Sequence, residues 1–323
     1  MGETFEKIPE IMLSPFLKGI SKFTKKNFIS LLYHAVSDHE LLHLKNLYNI
    51  RNVSSFKLDM EQILKVFKPV SLSEVIESVE NNRPFSRPSF LLTFDDGLRE
   101  CFDVVAPVLL EKGIPAVFFI NSGFIGNKDL FFRFKVSLLI EKMKSKKFMS
   151  KQFQKKKNML LKYSIHENVT LDQLADSMEI DYFQFLRNQK PYMDAVQIQK
   201  LLDWGFDIGS HSLNHALFSD LCLEDQIDQV LNSIQILENQ FQLKNKVFAF
   251  PFTDHGVSRA FFEKVYSNGL QLSFGTAGIK NDTFSRNIQR IPAEEFTTAQ
   301  NAITWQYLYY CLKMPLQKNQ IHR

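Results

Sequence analysis

Leu91-Leu92-Thr93-Phe94-Asp95-Asp96-Gly97 is the stretch that decides the architecture. A buried-strand pattern runs straight into two adjacent carboxylates and a glycine. Strands covered on both faces read as continuous apolar runs rather than as alternation, the pattern of parallel sheets. Five more runs share this character, at 29–33, 116–121, 206–210, 247–250 and 270–274. Amphipathic helical stretches lie between them. Phe56, Met60, Ile63, Leu64 and Phe67 mark one stripe, with Ser54 or Ser55 as N-cap. Val104, Val108 and Leu109 mark a second, stopped at Gly113-Ile114-Pro115. Ile227, Val230, Leu231, Ile234, Leu237 and Phe241 mark a third. Strand–helix alternation of this kind predicts a parallel α/β fold.

One segment breaks the alternation. From about 127 to 194 there is no strand pattern. Apolar residues from Phe131 to Ile140 precede a lysine-rich run, and short helical patterns follow near 171–178 and 182–186. The segment reads as a helical insertion between two core strands, separable from them. The expected organisation is an extension at 1–28, the main α/β unit at 29–292 and a C-terminal helix and tail at 293–323.

Composition bounds the function. The chain has 323 residues, 45% of them apolar, enough for a core that needs no disulfide or metal staple. Phe occurs 31 times, which predicts an aromatic core. Trp204 and Trp305 are read as mostly core. Nine lysines fall from Lys142 to Lys162 with no acid among them; without them the chain carries 30 basic and 35 acidic residues. The body is therefore mildly acidic, which argues against nucleic acid as a partner. The lysine run reads first as a solvated helix face, and second as a patch for an anionic membrane surface or a lipid-linked glycan. Cys101, Cys222 and Cys311 are scattered and odd in number, against a disulfide framework. With no signal or spanning segment in view, a cytoplasmic protein, peripheral to the membrane at most, is expected.

The chemistry lies at strand ends. Where the chain turns at Gly97, both Asp95 and Asp96 can reach a common pocket, and functional residues of parallel α/β folds gather at that end. The second signal is His211-Ser212-Leu213-Asn214-His215, directly after the run at 206–210. Histidines at i and i+4 on a helical turn face the same way, about 6 Å apart, which suits two imidazoles on one metal. Two histidines and one carboxylate leave coordination positions open, and the spare carboxylate is free to act as a base. Asp207 reads as a partner that orients these groups rather than as a ligand, and Cys101 as a packing thiol.

The order Thr93-Phe94-Asp95-Asp96-Gly97, His211-Ser212-Leu213-Asn214-His215 and Phe248-Ala249-Phe250-Pro251-Phe252 resembles the polysaccharide deacetylases of the NodB-homology type, carbohydrate esterase family 4. Leu31-Leu32-Tyr33-His34-Ala35-Val36-Ser37 also looks like the start of such domains. The resemblance covers about 29 to 292 without the insertion. It implies a distorted (β/α)7 barrel. It implies Asp95 as catalytic base and Asp96, His211 and His215 as ligands of a divalent metal, zinc first, with Co2+, Mn2+, Ni2+ or Fe2+ as alternatives. It also implies the backbone N–H of Phe252 as oxyanion donor, and an acetylated glycan as substrate.

Two features depart from the family pattern. Ala249 stands where the family usually carries an arginine that orients the base. Arg290, in Gln289-Arg290-Ile291-Pro292, resembles a late element of some relatives and is the candidate replacement. No late Leu-x-His supplies the general acid. The candidates are Asp95 itself, returning the proton taken from water, then His255, then His34. The expected activity is removal of N-acetyl, rather than O-acetyl, groups from a poly- or oligosaccharide. The alternatives are hydrolysis of a non-sugar amide on the same fold, an inactive carbohydrate-binding domain, or a membrane-surface scaffold.

Overall fold

The computed structural model describes residues 10–145 and 150–323. Seven parallel strands form its centre: β1 (Phe28–Tyr33), β2 (Ser89–Phe94), β3 (Ala116–Ile120), β4 (Asp207–Ser210), β5 (Val247–Ala249), β6 (Leu272–Gly275) and β7 (Asn287–Pro292). Each pairs with the next, and β7 pairs with β1, Ser30 opposite Arg290. The ring closes because β1 also pairs directly with β2, in register from Phe28 opposite Ser89 to Tyr33 opposite Phe94. A two-residue strand, Lys68–Pro69, lies beside the start of β2. The protein is thus a closed seven-stranded (β/α) barrel.

Period-two alternation sorts the strand side chains. Leu91, Val117, Phe119, Val247, Ala249, Leu272 and Phe274, from four strands, form one buried cluster, the barrel interior. Leu92, Phe94, Phe118 and Ile120, the residues between them, belong to the cluster that the surrounding helices cover. The same parity turns Thr93 and Asp95 inward. Leu72, Val75 and Ile76 of the helix Leu72–Glu80 join the interior cluster and plug the barrel's amino-terminal end. A capping box between Ser71 and Glu74 starts that helix.

The outer layer carries the phenylalanines. Phe218, Phe248, Phe250, Phe261 and Phe262 form a cluster of their own, with Phe248 and Phe250 rings 4.8 Å apart. The long helix Leu223–Phe241 packs there through Val230 and Ile234. A polar knot ties the first strand to two helices. Asp59 accepts from Tyr33 Oη (3.0 Å), Arg51 Nε (2.8 Å) and the backbone of Ala299 (2.8 Å). Trp204 differs from expectation: it is 41% exposed and stacks on Phe102 at the surface.

The segment at 127–194 contains helices and no strand among its described residues: Phe132–Ser145, Ser150–Leu160, Asn168–Ser177 and Tyr182–Gln189. It is not separable from the barrel as its charge contrast suggested. Phe131, Phe134, Val136, Leu139, Leu171 and Leu186 are buried in the main core cluster together with β1 and β2 residues. Lys146, Lys147, Phe148 and Met149 of the lysine run, and the first nine residues of the N-terminal extension, lie outside the described residues. No helix of the described residues is long and apolar enough to cross a membrane.

Candidate active site

At the carboxyl end of the barrel a cleft of about 720 Å³ opens over Asp95, Asp96, His211 and His215. The backbone turn after β2 places the two aspartates. Asp96 and Gly97 both take left-handed backbone, at φ 71° and 66°. Gly97 is required twice over, since a Cβ there would also stand 3.1 Å from Ile120 Cγ2.

The two histidines come together in a way the sequence did not indicate. Residues 211–215 are a loop, not a helical turn. Ser212 and His215 are left-handed, at φ 71° and 60°, and fold the chain back so that the imidazole centroids lie 4.8 Å apart. The loop is pinned from three sides. His211 N donates to Ile120 O (2.9 Å), His215 N to Ser212 Oγ (3.0 Å), and Leu213 N to Gln229 Oε1 (3.1 Å). Asn121 Nδ2 also donates to the carbonyl of His211.

Asp96, His211 and His215 each offer one ligand atom, all within 4.8 Å of one another, and all three residues are buried. The donor chemistry fits a divalent cation. His211 Nδ1 is 2.9 Å from the carbonyl of Ala249, which fixes the ring and leaves Nε2 facing the aspartates. Asp96 Oδ1 is 3.0 Å from His215 Nε2 and 3.5 Å from His211 Nε2, yet it is buried with no hydrogen bond. His215 Nδ1 is likewise buried without a partner. Burial pushes the Asp96 carboxyl up, but His215 and His211 outweigh that and hold it well below the usual range.

Asp95 is held by Arg290. Its two oxygens accept from Nη1 (2.7 Å) and Nη2 (2.8 Å) of that fully buried guanidinium. Burial raises the Asp95 pKa; Arg290, then His211, bring it below the ordinary value. The Arg290 Nε donates to Gly275 O (3.1 Å), so the fork is fixed at both ends. Arg290 stands on β7, a strand the sequence did not reveal.

His34 follows β1 and lines the cleft, whereas His255 is exposed and does not line it. The His34 ring bonds through Nδ1 to Glu294 Oε2 (2.7 Å), and Glu294 Oε1 accepts from the His34 backbone (3.0 Å). Burial lowers the imidazole pKa, but Glu294, followed by Asp96 and Asp95, offsets this and raises the net value to about 9. Tyr48 stacks on His34 with centroids 4.2 Å apart and donates to Asp96 Oδ2 (2.8 Å). Glu294 and Tyr48 were missed from sequence. Glu294 had a signal, an acid two residues beyond Arg290-Ile291-Pro292; Tyr48 sits in a patternless loop and had none.

Phe252 lies at the cleft edge with φ 56°, its ring 4.7 Å from that of His215, and its N–H makes no hydrogen bond among the described residues. Asp207 does not reach the cleft. It starts β4 at the opposite end and accepts from Asn245 Nδ2 (3.2 Å). Cys101 is a buried free thiol whose Sγ meets the His34 carbonyl at 3.3 Å.

A closed parallel barrel with a carboxylate–histidine cluster at its carboxyl end defines a hydrolase-like α/β barrel of the NodB-homology class. Residues 82–272 match the polysaccharide deacetylase family, and the chain belongs to that family. Comparison with curated proteins finds no match. Among solved structures it is similar to the Streptococcus pyogenes deacetylase PplD in complex with acetate, at 14% identity and TM-score 0.58, over 86% of this chain and 96% of that one. It is similar to IcaB from Ammonifex degensii, at 15% identity and TM-score 0.58, over 87% and 97%. The BpsB deacetylase domain from Bordetella bronchiseptica matches at 15% identity and TM-score 0.52, over 81% and 94%.

Proposed function

We propose that the protein is a metal-dependent hydrolase that removes N-acetyl groups from a sugar of a poly- or oligosaccharide. The observation that carries this reading is the Asp95–Arg290 pair set beside the three-donor cluster, with Asp95 Oδ2 3.8 Å from His211 Nε2. A binding module has no use for a buried, arginine-oriented carboxylate next to such a cluster. Asp96, His211 and His215 would hold the cation, which when bound acidifies a water and polarises the acetyl carbonyl.

Asp95 is the base. Arg290 keeps it ionised and fixes its orientation, so that it takes a proton from the attacking water. The N–H of Phe252, at the cleft edge, would donate to the oxyanion of the tetrahedral intermediate. An amine does not depart as an anion, so the departing nitrogen needs a proton. His34, held in its charged form by Glu294, supplies it from the neighbouring strand. The geometry thus favours His34 over His255 and over a proton recycled through Asp95. A resident donor of this strength also favours an amide over an ester, whose leaving oxygen needs protonation less.

The test is an acetate-release screen of the metal-loaded protein across N- and O-acetylated glycans, with Asp95→Asn as control. Release from N-acetylated glycans that vanishes in the variant is the expected result. Release from O-acetyl esters alone would overturn the choice of amide.

A further inference from the structure

Arg133 lines the cleft from the start of the helix Phe132–Ser145 and carries a charge that no carboxylate among the described residues answers. Its Nη1 donates to Leu161 O (2.6 Å). Its guanidinium carbon lies 5.5 Å from the Phe132 ring centre and 5.4 Å from that of Phe252. No carboxylate forms an ion pair with it among the described residues, and its Nε is buried without a partner. Burial lowers its pKa and no acid offsets the shift. The amino end of a helix adds positive potential to this cation, and the first turn contains no acidic residue. Two other positive groups at this end of the barrel are paired, the buried Arg290 with Asp95 and His34 with Glu294.

An arginine held by rings on two sides and bonded through Nη1 leaves Nη2 to meet an oxygen of a carboxylate or phosphate. The Phe252 ring stands between Arg133 and His215, so the site is next to the reacting centre rather than at it. We propose that Arg133 binds an oxyanion, a phosphodiester or a carboxylate, carried by the glycan on a residue flanking the acetylated sugar. This rests on the deacetylase reading and narrows its substrate to anionic glycans.

Three matched N-acetylated oligosaccharides test it: one neutral, one bearing a phosphodiester, one bearing a uronate. Wild type, Arg133→Gln and Arg133→Lys are compared by kcat/KM. Wild type should prefer an anionic substrate by roughly tenfold or more, the order of one charge-assisted hydrogen bond. The preference should shrink with salt, fall below about twofold in the glutamine variant and return in part with lysine. The anion that shows the effect names the source. Equal preference in wild type and Arg133→Gln, or a loss that is the same on all three substrates, would overturn the proposal and leave Arg133 as a packing residue. If none of the three is hydrolysed, the deacetylase reading is what fails. Equilibrium binding of the same sugars to wild type and Arg133→Gln then decides the anion site by itself: tighter binding of the charged sugars only with Arg133 supports it, and equal binding overturns it.

Discussion

Arg290 forks onto both carboxylate oxygens of Asp95, at 2.7 and 2.8 Å, across 195 residues of sequence. The pair is fully buried, so neither charge survives alone. Replacing Arg290 with Gln should cost about 3–5 kcal/mol of stability, the usual effect of leaving one member of a buried pair unpaired. Thermal unfolding measures this. Acetate release should fall as well, and the double variant Arg290→Gln/Asp95→Asn should recover part of the lost stability but none of the activity.

The adjacent aspartates should separate cleanly. Asp95→Asn is expected to keep its cation and lose about 10²–10⁴-fold in kcat, the range of a positioned acid–base group. Asp96→Asn and His211→Ala are expected to lose the cation. Elemental analysis of the purified variants checks the division of labour.

If His34 is the proton donor proposed above, it should set a pH limit. Its pKa in the folded protein is raised to about 9, so the proton-donating form is present below that value and disappears as pH rises through it. The kcat/KM profile should therefore fall on its basic side near pH 9. Glu294→Gln removes the carboxylate that does most to raise the pKa and should move the limb down from about 9 towards the ordinary 6.5. In His34→Ala the limb should vanish along with most of the rate.

Tyr48 should act on the proposed cation site through Asp96. Its hydroxyl engages Oδ2 and leaves Oδ1 to face the histidines. Tyr48→Phe should weaken cation affinity about 10–100-fold, as loss of partners behind a ligand does elsewhere. The folded state should change by only about 1 kcal/mol. A chelator competition measures the first and chemical denaturation the second.

The insertion should tolerate charge changes but not removal. Lys155 is exposed on the helix Ser150–Leu160, with Lys157 partly so. Changing both to Gln should shift stability by no more than about 0.5 kcal/mol. Excising residues 127–194 should leave the core open, because Phe134, Val136 and Leu171 are fully buried there. Circular dichroism and the unfolding transition distinguish the two outcomes.

Six of the seven barrel strands were readable because both faces of each are covered and their side chains form apolar runs. β7 was not, because the residues it buries are Asn287, Gln289 and Arg290 alongside Ile291. Asn287 and Gln289 turn outward onto Asp254 and Asp282, and Arg290 turns inward onto Asp95, so polar residues on both faces erase the hydrophobic signature. The spacing of His211 and His215 was legible as a ligand pair, but its conformation was not. An i, i+4 pair is what a helix would bring together, and here two left-handed residues do it instead. The links from His34 to Glu294 and from Tyr48 to Asp96 span 260 and 48 residues, and no local pattern announces either.

The register of β1 on β2 pairs Tyr33 with Phe94, so the next residue of each strand, His34 and Asp95, leaves the barrel at the same height on either side of one seam. The neighbouring strand β7 delivers Arg290 and, just past its end, Glu294. The first and last strands of the ring thus both contribute to one cleft, and the cleft does not exist until they meet. Contacts so distant in sequence form slowly. During refolding, acetate release should lag behind the recovery of helical signal. An intermediate with its helices in place but its ring open would be inert, so the enzyme has no working half-built form.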